Sequence, residues 1–315
     1  MTRTRPLEVA GMLAAAGALC LAPSYLERGT LNDLWSVALA VVLASSWNLL
    51  GGLAGQVSIG YSAFLGIGAY TTVLLAPNGW SPVLTLPLGA LLASVFSVLI
   101  GFPTFRLRGP YFTIATIGVG EAVRVVASGV SFTGGASGLR MPAGSFDFES
   151  NFRAMTLLAV AVVWISALVS RSAFGSALAA VKQDIDAAEA LGVNSTRLKV
   201  AVHALSAALV GLAGGLFAIN FQYVSPGSVF DFRLSLTIVL MPIVGGVGTV
   251  AGPVLGAILF GWLQLKLLST PALLDSSLFI YGALLIAVML FEPKGLLGLV
   301  KRLLARRPRR IHVDA

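Results

Sequence analysis

What most constrains this chain is the length of its apolar runs. Stretches without a single charge, such as 82–101, recur from one end to the other. A helix needs roughly 20 apolar residues to cross the ~30 Å hydrocarbon layer of a bilayer. A helix on a water-soluble core instead carries an apolar stripe with a polar face beside it. Here the runs have no polar face, and only 11% of residues are charged, against about 25% in soluble domains. The environment is therefore lipid, where continuous helices satisfy their own backbone groups. The fold class that follows is an all-α polytopic membrane protein, with 1–315 read as one transmembrane domain.

Ten spans are expected, at 7–26, 34–52, 59–76, 82–101, 111–129, 155–170, 200–221, 234–247, 251–268 and 277–291. The eighth is short and runs through a glycine-rich turn into the ninth, so nine spans with a re-entrant segment is the alternative count. Positive charge collects on cytoplasmic loops. With the N-terminus inside, fifteen of the 21 Lys and Arg residues fall on the inner side and five on the outer, with Arg124 inside the membrane. Both termini are expected to be cytoplasmic. The first run, preceded by Arg3 and Arg5, reads as a retained helix, because it has no clear small-residue cleavage site.

The net charge of +8 does not indicate nucleic acid, since the basic residues lie between and after apolar stretches rather than along one face. The basic tail, 294–315, reads as a juxtamembrane cluster held by anionic headgroups. The single cysteine, Cys20, lies in an apolar run and excludes a disulfide framework and a cysteine-rich metal site. No metal site and no cofactor is expected. No nucleophile and base cluster at depth, so an intramembrane enzyme is not expected either.

One soluble segment, 172–194, has helical periodicity. Leu178, Val181, Ile185, Ala188 and Leu191 recur at spacings of three and four, and Lys182, Asp184, Asp186 and Glu189 mostly occupy the other face. Gly192 supplies the stop. A helix lying on an anionic bilayer surface is usually rich in Lys and Arg. This one carries three acids, which fits a groove on another protein better.

Phe174-Gly175-Ser176-Ala177-Leu178 through Asp184-Ile185-Asp186-Ala187-Ala188-Glu189-Ala190-Leu191-Gly192-Val193 resembles the coupling loop of ABC importer permeases. The resemblance is to the branched-chain amino acid permease family in particular. It extends to Gly55-Gln56-Val57-Ser58-Ile59-Gly60, Ala63 to Tyr70, Arg108-Gly109-Pro110-Tyr111-Phe112, Thr133-Gly134-Gly135, and Gly245-Gly246-Val247-Gly248-Thr249 with Gly252-Pro253. Lys182-Gln183-Asp184 departs mildly from the Arg-Glu-Asp expected there. The span count favours the longer, M-type subunit. The resemblance implies a subunit of the bacterial inner membrane that carries a small, branched-chain amino acid. It also implies two ATPase subunits, a second permease subunit and a substrate-binding protein as partners. ATPase coupling would then fall on Leu178, Val181, Lys182, Asp184, Ile185, Ala188, Glu189, Leu191 and Gly192. The chain has no Gly-x-x-x-x-Gly-Lys-Ser/Thr phosphate loop, so ATP must be bound elsewhere. An ion-coupled secondary transporter is the alternative, and it would usually place more ionisable groups at mid-membrane.

The residues themselves suggest a path. A helix broken at Gly55-Gln56-Val57-Ser58 is tolerated only against protein or a watery cavity. Gln56 and Ser58 offer hydrogen bonds there, and Tyr111, Thr113 and Thr116 form a polar stripe on the fifth span. Glu121 and Arg124 share a face there and read either as a structural ion pair or as a contact for a passing zwitterion. Gly211 with Gly215, and Gly252 with Gly256, have the spacing of close helix packing. His203 reads as a structural residue rather than a proton relay.

Overall fold

A computed structural model describes residues 23, 26–107, 109–142, 147–268, 277–292 and 295–305. The expected first span, Cys20, Arg108, Lys294 and the end of the basic tail lie outside the described residues. The described chain is almost entirely helical. The helices are α1 (Arg28–Asn48), α2 (Tyr61–Leu75), α3 (Pro82–Thr104), α4 (Pro110–Gly129), α5 (Phe148–Arg171), α6 (Ala173–Gln183) and α7 (Ile185–Ala190). They continue as α8 (Ser195–Phe221), α9 (Pro226–Val229), α10 (Phe232–Gly245), α11 (Ala251–Leu268), α12 (Ser277–Phe291) and α13 (Gly295–Ala305). Among the described residues six segments are long and apolar enough to cross a membrane: Arg28–Leu53, Pro82–Thr104, Pro110–Gly129, Phe148–Arg171, Ser195–Phe221 and Pro226–Gly245. Shorter apolar helices are α2, α11 and α12.

Local sequence sets the boundaries. Proline opens α3, α4 and α9, where its fixed φ suits the first turn and its missing N–H costs nothing. Side chains of Asp147, Asn194 and Asp231 accept from backbone N–H groups at the starts of α5, α8 and α10.

The core forms around α8, which packs along α2 and α3. Small residues make this approach possible. A Cβ on Gly68 would fall 1.9 Å from the Gly211 carbonyl oxygen, and one on Gly211 would fall 2.9 Å from that of Gly89. Backbone thus touches backbone across three helices, the contact that substitutes for a hydrophobic drive in lipid. On the other side α1 packs against α5, α10 and α11. At the end that the charge pattern assigns to the outside, Leu139–Arg140 pairs antiparallel with Tyr223–Val224. The Tyr223 hydroxyl donates to the Ser137 carbonyl at 2.5 Å, which fixes the loop carrying Thr133-Gly134-Gly135 to the end of α8.

The expected single helix across 172–194 is instead two. Asp184 sits in an extended conformation, and its carboxylate accepts from the N–H groups of Asp186 and Ala187 at 2.9 and 3.0 Å. An aspartate that can cap a new helix competes with continuing the old one. Gly192 takes the left-handed conformation (φ 85°). The N–H of Val193 bonds the Ala188 carbonyl and that of Gly192 bonds Glu189, a paired C-terminal cap.

Candidate functional site at a broken helix and its coupling element

After Asn48 the first helix widens into a π-helical turn, Leu49–Leu53, and then unwinds. Gly55 has φ 71°, a value that side-chain-bearing residues rarely adopt. Residues 54–60 carry no helix, and α2 begins at Tyr61. This segment turns back into the bundle. The Trp47 indole donates to the Ser58 carbonyl at 2.7 Å, so Ser58 lies level with a residue six positions before the end of the turn. At ~1.5 Å per residue that is a depth of about 9 Å.

Irregular backbone at depth needs partners, and α4 supplies them. Thr113 Oγ1 donates to the Val57 carbonyl at 2.8 Å, and the Ile59 N–H donates to Thr116 Oγ1 at 3.1 Å. The polar stripe expected of Tyr111, Thr113 and Thr116 is therefore divided. Thr113 and the buried Thr116 hold the extended segment, whereas Tyr111 faces outward and is 71% exposed. Ser58 is buried and Gln56 half-buried.

Tyr111, Ile114, Gly118, Glu121 and Val125 form one exposed stripe on α4. The spacing of three and four places them on one helical face. Glu121 and Arg124 form a two-pronged ion pair, with Arg124 Nε donating to Glu121 Oε2 at 2.9 Å and a second guanidinium nitrogen bonding Oε1. Their side chains are 48% and 39% exposed. Glu121 also lines a cavity of about 340 Å³ with Ile59, Ser62, Phe230 and Ser235, directly beside the restart of the broken helix. The Ser235 hydroxyl donates to Ser62 Oγ at 2.8 Å and accepts from its N–H at 3.0 Å. The cavity wall thus fixes the first turn of α2.

Helix α6 also joins this junction. Lys182 on α6 donates to the Gly52 carbonyl at 2.8 Å, capping the otherwise open end of the π-helical turn. One residue that sequence reasoning missed completes the joint. Asn48 is buried, accepts from the Gly248 N–H at 2.8 Å and donates to the Thr249 carbonyl at 2.9 Å. It ties the broken helix to the glycine-rich turn between α10 and α11. Its only signal was a primary amide inside an apolar run. Gly295 abuts Gly246 in the same turn, and Arg302 of α13 donates to Glu292 Oε1 at 3.2 Å and forms an ion pair with it.

The faces of α6 and α7 differ from the sequence expectation. Leu178, Val181 and Ala188 are buried within this chain, Ile185 is half-buried and Leu191 is 84% exposed. Most of the apolar stripe therefore packs against the chain's own helices, and of its five residues Leu191 alone faces fully outward. Much of the polar face is also engaged internally: Lys182 on Gly52, Asp184 as a cap, and Glu189 accepting from the Ser195 hydroxyl. The outward surface that remains centres on Ala187, Ala190 and Leu191, ending at Gly192. His203 is buried among Tyr61, Phe64 and Phe105. Among the described residues no group of three His, Cys, Asp or Glu could hold a metal ion.

The described residues thus form a helical domain with a broken helix, a lined cavity and an amphipathic element packed against it, and the comparisons with known proteins assign it to a class, that of transport permeases. Residues 29–289 match the family described as branched-chain amino acid transport system, permease component, and the chain belongs to that family as a membrane permease subunit of an ABC importer. It is 31% identical over 317 residues to the high-affinity branched-chain amino acid transport system permease protein LivM of Escherichia coli K12, covering 89% of this chain and 72% of that protein. It is 25% identical to the high-affinity branched-chain amino acid transport system permease protein BraD of Pseudomonas aeruginosa, over 87% of this chain and 96% of that protein. The autoinducer 2 import system permease LsrC of Escherichia coli is also 25% identical, over 90% and 86%. No solved structure matches.

Proposed function

We propose that this chain is the M-type permease subunit of an inner-membrane importer that carries a small branched-chain amino acid. It works with a second permease subunit, two ATPase subunits and a substrate-binding protein. The observation that carries this reading is the Lys182–Gly52 bond. It links the exposed element where an ATPase would push to the unwound segment that lines the Glu121 cavity. A displacement of α6 then moves the path wall directly. The ten-span count with both ends inside belongs to the same reading, and reporter fusions at Ala143 and Ala315 should report outside and inside. The half-exposed Glu121–Arg124 pair offers opposite charges to a zwitterion, with the carboxylate reading the ammonium and the guanidinium the carboxylate.

The test is uptake by proteoliposomes holding the full assembly, with ATP on the side of α6 and α7. Leucine should accumulate only with ATP and binding protein present. Lys182→Met should lower the rate about tenfold, the value of one charge-assisted hydrogen bond, with the ATPase still bound. Uptake driven by an ion gradient without ATP would return the secondary transporter to favour.

A further inference from the structure

We propose that the inner end of α3 and the start of α8 form a binding site for one anionic phospholipid headgroup. A groove of about 610 Å³ opens there, with walls that include Phe102, Arg106, Glu189, Asn194, Thr196 and Arg197. Two observations identify its occupant.

The first is position. Leu84, Leu91, Val95, Leu99 and Phe102 form an exposed, wholly apolar stripe down α3. Such a stripe on a spanning helix meets acyl chains. Phe102 is both the last residue of that stripe and a wall of the groove. Arg106 follows one turn later, where the hydrocarbon gives way to headgroups. The groove therefore opens from the lipid side, at headgroup level.

The second is charge. Arg106 and Arg197 are exposed, and among the described residues neither side chain has an ion-pair partner. A guanidinium fork matches the oxygens of a phosphodiester, and basic pockets between spanning helices on the cytoplasmic side bind lipid headgroups. Glu189 is the only acid in the lining, and its carboxylate is engaged by the Ser195 hydroxyl. Two guanidiniums and one carboxylate sum to +1. A phosphodiester with an uncharged headgroup, as in phosphatidylglycerol, neutralises that sum, whereas zwitterionic phosphatidylethanolamine leaves it unbalanced. The groove wall runs through Glu189 and Gly192, the end of the coupling element. A bound lipid would therefore pin that element to the membrane edge.

Native mass spectrometry of the full-length chain, titrated with phosphatidylglycerol, phosphatidylethanolamine or glycerol phosphate, tests this directly and needs no ATPase. One phosphatidylglycerol should be retained in preference to phosphatidylethanolamine. Arg106→Gln and Arg197→Gln should each weaken it roughly fivefold, and together about 25-fold. Glu189→Gln should strengthen it, a change opposite in sign to that of a folding defect, and Arg153→Gln on the far side should leave it unchanged. Equal retention of the two lipids, or an unaltered double variant, overturns the proposal. Glycerol phosphate competing as well as the lipid overturns it in favour of a free-anion site.

Discussion

Helices α3 and α4 are neighbours of similar length and both leave most of their surface open, yet they expose opposite chemistry. The α3 stripe contains only Leu, Val and Phe, while the α4 stripe carries Tyr111 and Glu121 with Arg124 on its flank. An ionised pair near the middle of a spanning helix is costly against lipid and is found facing a bundle interior or water. Equal exposure in an isolated chain thus means two destinations. On the reading proposed above, the α3 face meets acyl chains and the α4 face meets the path. Exposure alone does not distinguish lipid from partner, and side-chain chemistry does.

The sharpest way to break this comparison is to put the same charge on both faces. Val95→Arg on α3 places an arginine in hydrocarbon at about 3 kcal/mol, so membrane abundance of the full-length protein should fall by more than tenfold. Val125→Arg on α4 should leave abundance close to wild type while uptake is lost. Equal losses of abundance would mean that both faces meet lipid.

The buried side of α4 comes next. Thr116→Val removes the acceptor for the Ile59 N–H and leaves that donor unpaired inside the protein. The expected cost is about 1–3 kcal/mol, seen as a lower melting temperature of the purified chain. Thr113→Val, whose partner carbonyl is less enclosed, should cost less. No change in either variant would mean that the extended segment is held by the Trp47 bond alone.

Removing the ion pair should have a smaller effect on stability still. Both side chains are half-exposed, so a single Glu121→Gln or Arg124→Gln leaves a charge that water can reach, and such pairs contribute little to folding. Abundance should stay within about twofold of wild type while leucine uptake collapses. If abundance falls in each single variant and recovers in the double, the pair is structural and the α4 face is drier than its composition implies.

What was legible in the sequence follows the range over which each signal acts. Helix stops and breaks depend on a few adjacent residues, so Gly192 and the unwinding at Gly55-Gln56-Val57-Ser58 could be read directly. Small-residue spacing marked Gly211 as a packing position, although its partners, Gly68 and Gly89, come from other helices. The Asn48 clamp was not legible, because it closes onto a turn 200 residues away. Periodicity also identified the apolar stripe of α6 and α7 without revealing what covers it. A hydrophobic face must be buried, but period alone does not say against which surface.

That ambiguity sets the last and smallest effect on the fold. Ala188 and Leu191 share the stripe in sequence, yet Ala188 is buried in this chain and Leu191 is 84% exposed. Ala188→Asp would bury a carboxylate without a partner, a cost of several kcal/mol, so any loss of uptake there could come from misfolding. Leu191→Asp changes a side chain that touches almost nothing in the chain and should leave melting temperature and abundance unchanged. If the outward surface around Leu191 is where an ATPase seats, the new charge enters that contact. ATPase co-purification and uptake should then both fall, with ligand affinity of the binding protein untouched. Full uptake with the ATPase still bound in Leu191→Asp would remove this surface from the coupling path and leave Lys182 as the only tested link between α6 and the broken helix.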